Sequence, residues 1–336
     1  MPDEWSGSSI DAKGTTSCGG NFGEELRWIL LLQVELVKAV SSSLGGVVKG
    51  RAYLALAAAG TLWGTGFLFG KIALTELPVP HMVLYRLALA TCGFLPIVLV
   101  RKIHIRRQDW PGVILAAALG VPLLFLVQFA GLARTTVSHA SLMVGTMPIL
   151  LGVAAVLFTH ERLDIRRWFL LVLSAAGAAL IVFGTRSAPA GPTPTVIGDL
   201  LVVASLGAAV GWILLCKRLV ARYPPSVVTA VVMITGTILL GAWVLITSGA
   251  PPSRLSARVW FALVAQGFFA TTAATLLWNW GVARVRAAEA GVFVNLEPVL
   301  GAILGIVVLR ETLGLTGLAG GVLIVGAAIA MPKQAA

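Results

Sequence analysis

Residues 278–313 read WNWGVARVRAAEAGVFVNLEPVLGAILGIVVLRETL. The stretch is apolar for most of its length, with an acid, Glu297, near its middle directly before Pro298. Another acid, Glu311, lies thirteen residues after the proline. The same grammar occurs earlier, where Pro148 precedes Glu161 by thirteen residues and a leucine follows each acid two positions on, Leu163 and Leu313. An offset of 150 residues also aligns Gly131 with Gly281, Arg134 with Arg284, Val144 with Val294, Leu150 with Leu300 and Trp110 with Trp260. One offset accounts for all of these, so the chain carries an internal repeat. Lys71 and Lys217 correspond at a slightly smaller offset.

The chain has 336 residues, 58% of them hydrophobic and 12% charged, with a mean hydropathy of +0.93. A soluble domain carries about 25% charge, so this composition suits lipid. The net charge of +11 does not imply nucleic acid, because the basic residues sit in short clusters between apolar runs, which is the pattern of membrane topology. Cys18, Cys92 and Cys216 lie far apart and form no metal-ligand spacing, so neither a disulfide nor a metal site is expected. The segment 64–72, GTGFLFGKI, fails the phosphate-loop spacing, and no Ser/His/Asp, HExxH or paired-carboxylate motif is present. No cofactor, enzymatic activity or ATP-driven step is therefore expected.

Residues 1–50 read as an N-terminal extension, polar and expected to be disordered at its start, with an interfacial helix over 24–40. From Arg51 onward ten segments are each long enough to cross a bilayer: 52–73, 80–100, 110–132, 137–158, 167–185, 197–216, 226–247, 259–282, 287–309 and 314–332. The predicted fold class is an all-α polytopic membrane protein. With the N-terminus in the cytoplasm, fifteen lysines and arginines from Lys49 to Lys333 fall on the inside. Five (Arg134, Arg186, Arg254, Arg258 and Arg310) fall outside, which places both termini inside. The Pro/Gly/Ser/Thr-rich linker 186–196 divides the spans five and five, between repeats over 51–185 and 197–332. An odd number of spans per copy makes the two five-helix repeats inverted, as in many secondary transporters.

Polar residues inside the spans are the candidates for function. A charge near the bilayer centre costs about 2.5–3.5 kcal/mol on insertion scales, so Arg86 in span two and Glu297 in span nine each need protein, water or a partner. They read either as substrate path and proton carrier or as a structural pair. Pro148 and Pro298 remove a backbone hydrogen bond and are expected to open helices near Val144 and Val294, exposing polar backbone beside Asn295 and Glu297. Trp63, Trp278, Asn279 and Gln128 are further cavity candidates. His139, near a span end, reads as a solvated residue, and Glu311 as tying its helix end to the adjoining loop. The spacings Gly60/Gly64, Gly207/Gly211 and Gly301/Gly305 suit close helix approach.

Together with TLWGTGFLFGK at 61–71, Tyr85–Arg86, and GDLLVVASLGAAVGWILLCKRL at 198–219, the paired repeat resembles the EamA family of the drug/metabolite transporter superfamily over residues 51–332. The resemblance implies a multi-pass carrier of the cell (inner) membrane. Such a carrier exports small organic metabolites, amino acids or related solutes among them, by alternating access. The partners implied are a small-molecule solute, the bilayer and, at most, a second copy in a homodimer. An uptake carrier or a nucleotide-sugar exchanger is the alternative within transporters, and a non-transporting receptor or assembly protein the alternative outside them. The sequence departs from symmetry where function would: Asn295 and Glu297 correspond to Gly145 and Met147, and Trp63 to Ala209.

Overall fold

The computed structural model describes residues 48–101, 105–159, 164–184, 194–285, 290 and 293–330. The expected interfacial helix at 24–40 and nearly all of the 186–196 linker lie outside these residues. Helices account for almost all regular structure, and no strand occurs among the described residues. The first are α1 (Val48–Ala73), α2 (Val79–Arg101), α3 (Trp110–Ala118) and α4 (Leu124–Leu132). Next come α5 (Val137–Val144), α6 (Met147–Thr159), α7 (Ile165–Gly184), α8 (Val196–Val220) and α9 (Pro225–Thr247). The last are α10 (Ala257–Val264), α11 (Ala274–Val282), α12 (Leu296–Leu309) and α13 (Leu315–Ala330). Among the described residues, seven helical stretches are long and apolar enough to cross a membrane, and Trp168–Phe183, Leu296–Leu309 and Leu315–Ala327 are shorter apolar helices. Leu99, Phe158, Phe169, Ile246, Phe261 and Val307 are exposed, as expected of helices that face lipid on one side and protein on the other.

Hydroxyl side chains define several helix starts. Thr136 caps α5 by accepting from the His139 amide, Thr195 caps α8 by accepting from Gly198, and Ser256 caps α10 by accepting from Val259. Each satisfies an amide that the first helical turn leaves without a partner.

Two long helices are widened at their centres. Leu119–Leu123 joins α3 to α4 and Ala265–Ala273 joins α10 to α11, both with π-helical hydrogen bonding. The first contains Pro122, which has no amide to donate. The second has no proline. There Thr271 Oγ1 donates to Gln266 O at 2.8 Å and Thr272 Oγ1 to Gly267 O at 3.3 Å, so hydroxyls occupy carbonyls five residues back. Such turns are frequent at functional sites.

Glycines set which helices touch. A Cβ on Gly131 of α4 would lie 2.7 Å from Gly198 O and 2.9 Å from Val202 N of α8. On Gly281 of α11 it would lie 3.2 Å from Ala52 O of α1 and against the Leu56 side chain. Gly64 of α1 rests on Glu297 O and Gly301 N of α12, and Gly177 of α7 on Gly320 of α13. Gly207 differs from the expectation drawn from spacing, because it faces open space. Gly131→Ala is therefore expected to lower the unfolding temperature in detergent, since backbone cannot retreat and overpacking costs roughly 1–3 kcal/mol. Gly207→Ala is expected to leave it unchanged or slightly raised; a thermal-shift comparison of the two checks this.

Candidate functional site

The spans predicted to break at their prolines are interrupted beside them. α5 ends at Val144, and α6 begins at Met147 after the Gly145–Thr146 turn. In that turn Gly145 N and Thr146 N bond the carbonyls of Leu142 and Met143, three residues back, both at 3.0 Å. Pro148 falls in the first turn of α6, where a missing amide is harmless. Asn295 occupies the equivalent turn before α12, with Glu297 and Pro298 in that helix's first turn. Asn295 is buried and makes no capping bond through its side chain. Gly60 and Gly64 of α1 abut the backbone from Phe293 to Gly301, so α1 is pressed against this interruption.

Arg86, on α2, is buried in the interior. Its Nε donates to Thr271 Oγ1 at 3.1 Å, and Thr271 belongs to the widened segment of residues 265–273. The guanidinium lies over two rings of α4, 4.5 Å from the Phe125 centroid and 5.1 Å from that of Phe129. Stacking of this kind shelters a weakly hydrated cation. Gln266 is fully buried beside them; its Nε2 donates to Gly66 O at 2.7 Å while its Oε1 has no partner. Gly267 lets α2 approach, since its Cβ position lies 2.8 Å from Arg86 O.

Arg86 and Glu297 act on each other electrostatically, yet no ion pair joins them among the described residues. Without that ion pair, Glu297 in an apolar interior still calls for a polar group or water as partner. Near the start of α12, Trp63 of α1 and Trp278 of α11 meet with ring centroids 5.2 Å apart at 47°. Asn279 extends its Nδ2 to Thr229 Oγ1 on α9 at 3.5 Å, the long limit for such a bond. Trp280, beside Asn279, carries the Arg284 guanidinium on its ring at 4.2 Å. Gln128 is buried on α4, the helix that supplies Phe125 and Phe129.

Two residues differ from the sequence reading. His139 is not solvated: it is 1% exposed and its Nδ1 lies 2.9 Å from Asp199 Oδ2. Glu311 does not serve its own helix end but receives the amides of Val137 and Ser138 at the start of α5. Sequence reasoning also passed over Thr271, Thr229, Phe125 and Phe129. Hydroxyl and phenylalanine side chains are ordinary in apolar helices, so nothing at those positions marks them. Asp199 did carry a signal, as the one acid in the first turn of a 25-residue apolar helix.

The profile of the EamA-like transporter family matches residues 50–183 and again residues 196–331. An uncharacterized transporter of Archaeoglobus fulgidus is 25% identical over 291 residues, covering 85% of this chain and 99% of its own. The uncharacterized transporter YvbV of Bacillus subtilis is 29% identical over 284 residues, covering 82% and 90%. A crystal structure with 21% sequence identity superposes with a TM-score of 0.59 over 83% of this chain and 96% of that one, a likeness of fold.

Proposed function

The chain belongs to the EamA-like transporter family, and from that premise we propose a secondary active carrier that exports small organic metabolites, amino acids or related solutes, by alternating access. The observation that carries this reading is the pair of separated charges, Arg86 and Glu297, where α1 presses on the interrupted start of α12. In this account Arg86 holds an anionic group of the solute. Glu297 binds a proton or the solute's cationic group, and Trp63 and Trp278 form the apolar wall. Asn295, Asn279 and Gln128 supply polar contacts around them. Glu297 lies in the first turn of α12 and, as a carboxylic acid, has the chemistry both to take up and to release a proton.

The architecture of this proposal has ten membrane spans in two inverted copies, both termini in the cytoplasm, and residence in the cell membrane. The twofold match to the family profile supports the duplication. Packing supports a twofold exchange of the halves. Gly131 sits on Gly198 and Val202, while its partner across the repeat, Gly281, sits on Ala52 and Leu56. The widened segments Leu119–Leu123 and Ala265–Ala273 also correspond at the 150-residue offset. With five spans per copy, that exchange turns the second copy over in the bilayer.

A comparison of cells lacking and overexpressing the protein tests the export reading. At least one small solute is expected to rise in the medium with overexpression and to accumulate inside without the protein. The opposite distribution would favour an uptake carrier, and unchanged solutes on both sides would contradict transport.

A further inference from the structure

A group of polar side chains outside the proposed binding centre gathers at one end of the bundle, around the turn between α4 and α5. Lys71, in the last turn of α1, donates through Nζ to Leu132 O at 2.7 Å and Thr135 O at 2.6 Å. Asp199, in the first turn of α8, accepts from Thr135 Oγ1 and meets His139 Nδ1 at 2.9 Å. Glu311, just beyond α12, accepts from Val137 N at 2.7 Å, Ser138 N at 2.8 Å and Ser138 Oγ at 2.5 Å. Lys71 and Glu311 also attract each other. Arg310 holds a left-handed backbone, φ 54°, and thereby turns Glu311 back toward α5. Three helices from both halves of the chain thus reach into one short turn; the carboxylates of Asp199 and Glu311 are buried and Lys71 is half-buried.

The opposite end holds a different arrangement, in which Asp109, just before α3, accepts from Arg222 and, at 2.7 Å, from Tyr223 Oη, both beyond the end of α8; the counterparts of the present cluster do not recur there. Lys217, which corresponds to Lys71, is exposed. Tyr53 stands where Asp199 would be, and Val285 where Thr135 would be. This cluster is therefore not a product of the duplication, since the equivalent positions do not repeat it.

Its contacts also fall along a seam. α12 packs closely on both α1 and α5, through Gly64, Gly301 and Gly305. α4 packs closely on α8 through Gly131 and Gly198. Between these two groups the polar contacts are Lys71 to the carbonyl end of α4, and His139 to Asp199. Glycine-mediated backbone packing resists sliding, whereas a few hydrogen bonds can be exchanged for water when a gap opens. A seam held by polar contacts is where two rigid groups part.

We propose that Lys71, Thr135, His139 and Asp199 form a releasable clamp that keeps this end of the bundle closed, and that each transport cycle must open it. The inference rests on the alternating-access reading above, because only a carrier that opens each end in turn must release the contacts closing this one. The clamp is reset by the same contacts, so its strength sets how long the closed conformation lasts.

Spin labels on cysteines replacing Thr75, just beyond α1, and Ile197, at the start of α8, report the width of the seam by pulsed electron resonance. Cys18, Cys92 and Cys216 are replaced beforehand. Asp199→Asn removes the charge with little change of shape, and Lys71→Met cuts the seam at its other contact. Both are expected to raise a longer-distance population at least about tenfold relative to the unclamped residue's wild type, the scale of losing one hydrogen bond to a charged group. Unchanged distances in folded variants would overturn the clamp. So would failure of both variants to fold, since contacts that cannot be released without unfolding are not a gate. The distances need no solute, so a clamp that opens in a protein moving nothing would contradict the transport reading alone.

Discussion

Replacing Arg86 by alanine is expected to reduce solute flux at least about tenfold, the low end of the roughly 1.5–3 kcal/mol carried by a hydrogen bond to a charged group. Three effects combine. The guanidinium bonded to Thr271 and stacked on Phe125 and Phe129 is removed. Glu297 loses the opposite charge that acts on it. The solute loses its anion site. Arg86→Lys keeps the charge but not the planar fork or the stacking, and is expected to fall between wild type and alanine. Flux at matched amounts of folded protein in proteoliposomes checks the order; alanine equal to wild type would remove Arg86 from the binding centre.

Glu297→Gln is expected to separate two activities that the wild type couples. A glutamine keeps the size and polarity of the side chain but neither takes up nor releases a proton. If Glu297 carries the proton, net flux driven by a pH gradient falls to background, while exchange of labelled for unlabelled solute persists. Flux also becomes independent of pH. Unchanged rate and unchanged pH dependence would assign the proton step elsewhere. Loss of exchange together with gradient-driven flux would make Glu297 a binding residue for the solute's own charge.

The membrane character of the chain and its helical content are legible from composition and from apolar runs of the right length. So is the position of the breaks beside Pro148 and Pro298, because a missing amide leaves a mark in the sequence. Facing is not legible. Helices such as α6 and α12 are apolar around their whole circumference, since lipid and protein interior ask for the same residues, and periodicity then says nothing of which side turns inward. Trp63 and Trp278 could be singled out by type, but not paired across 215 positions. The widening at Ala265–Ala273 has no proline to announce it and depends on two threonine hydroxyls. His139 and Asp199 needed the tertiary fold, because each alone resembles a polar residue at a helix end, and only the packing of α5 against α8 buries them together.

The pairing of Gly131 with Gly198 and of Gly281 with Ala52 shows what duplication supplies and what it does not. Close packing recurs in both halves, and it is met by small residues that either copy can carry. The charges do not recur: Glu297 corresponds to Met147, and Arg86 to Val232 at the offset that aligns Lys71 with Lys217. Scaffold is shared and chemistry is placed once, which is why the candidate site lies off the symmetry of the repeat.

The most direct measurement is flux of a solute found in the export comparison, into liposomes holding only this protein, with a pH gradient imposed and no nucleotide present. Accumulation that follows the gradient and collapses when a protonophore is added is the result predicted. Accumulation indifferent to the gradient, or no movement of any such solute by the folded protein, would contradict the account.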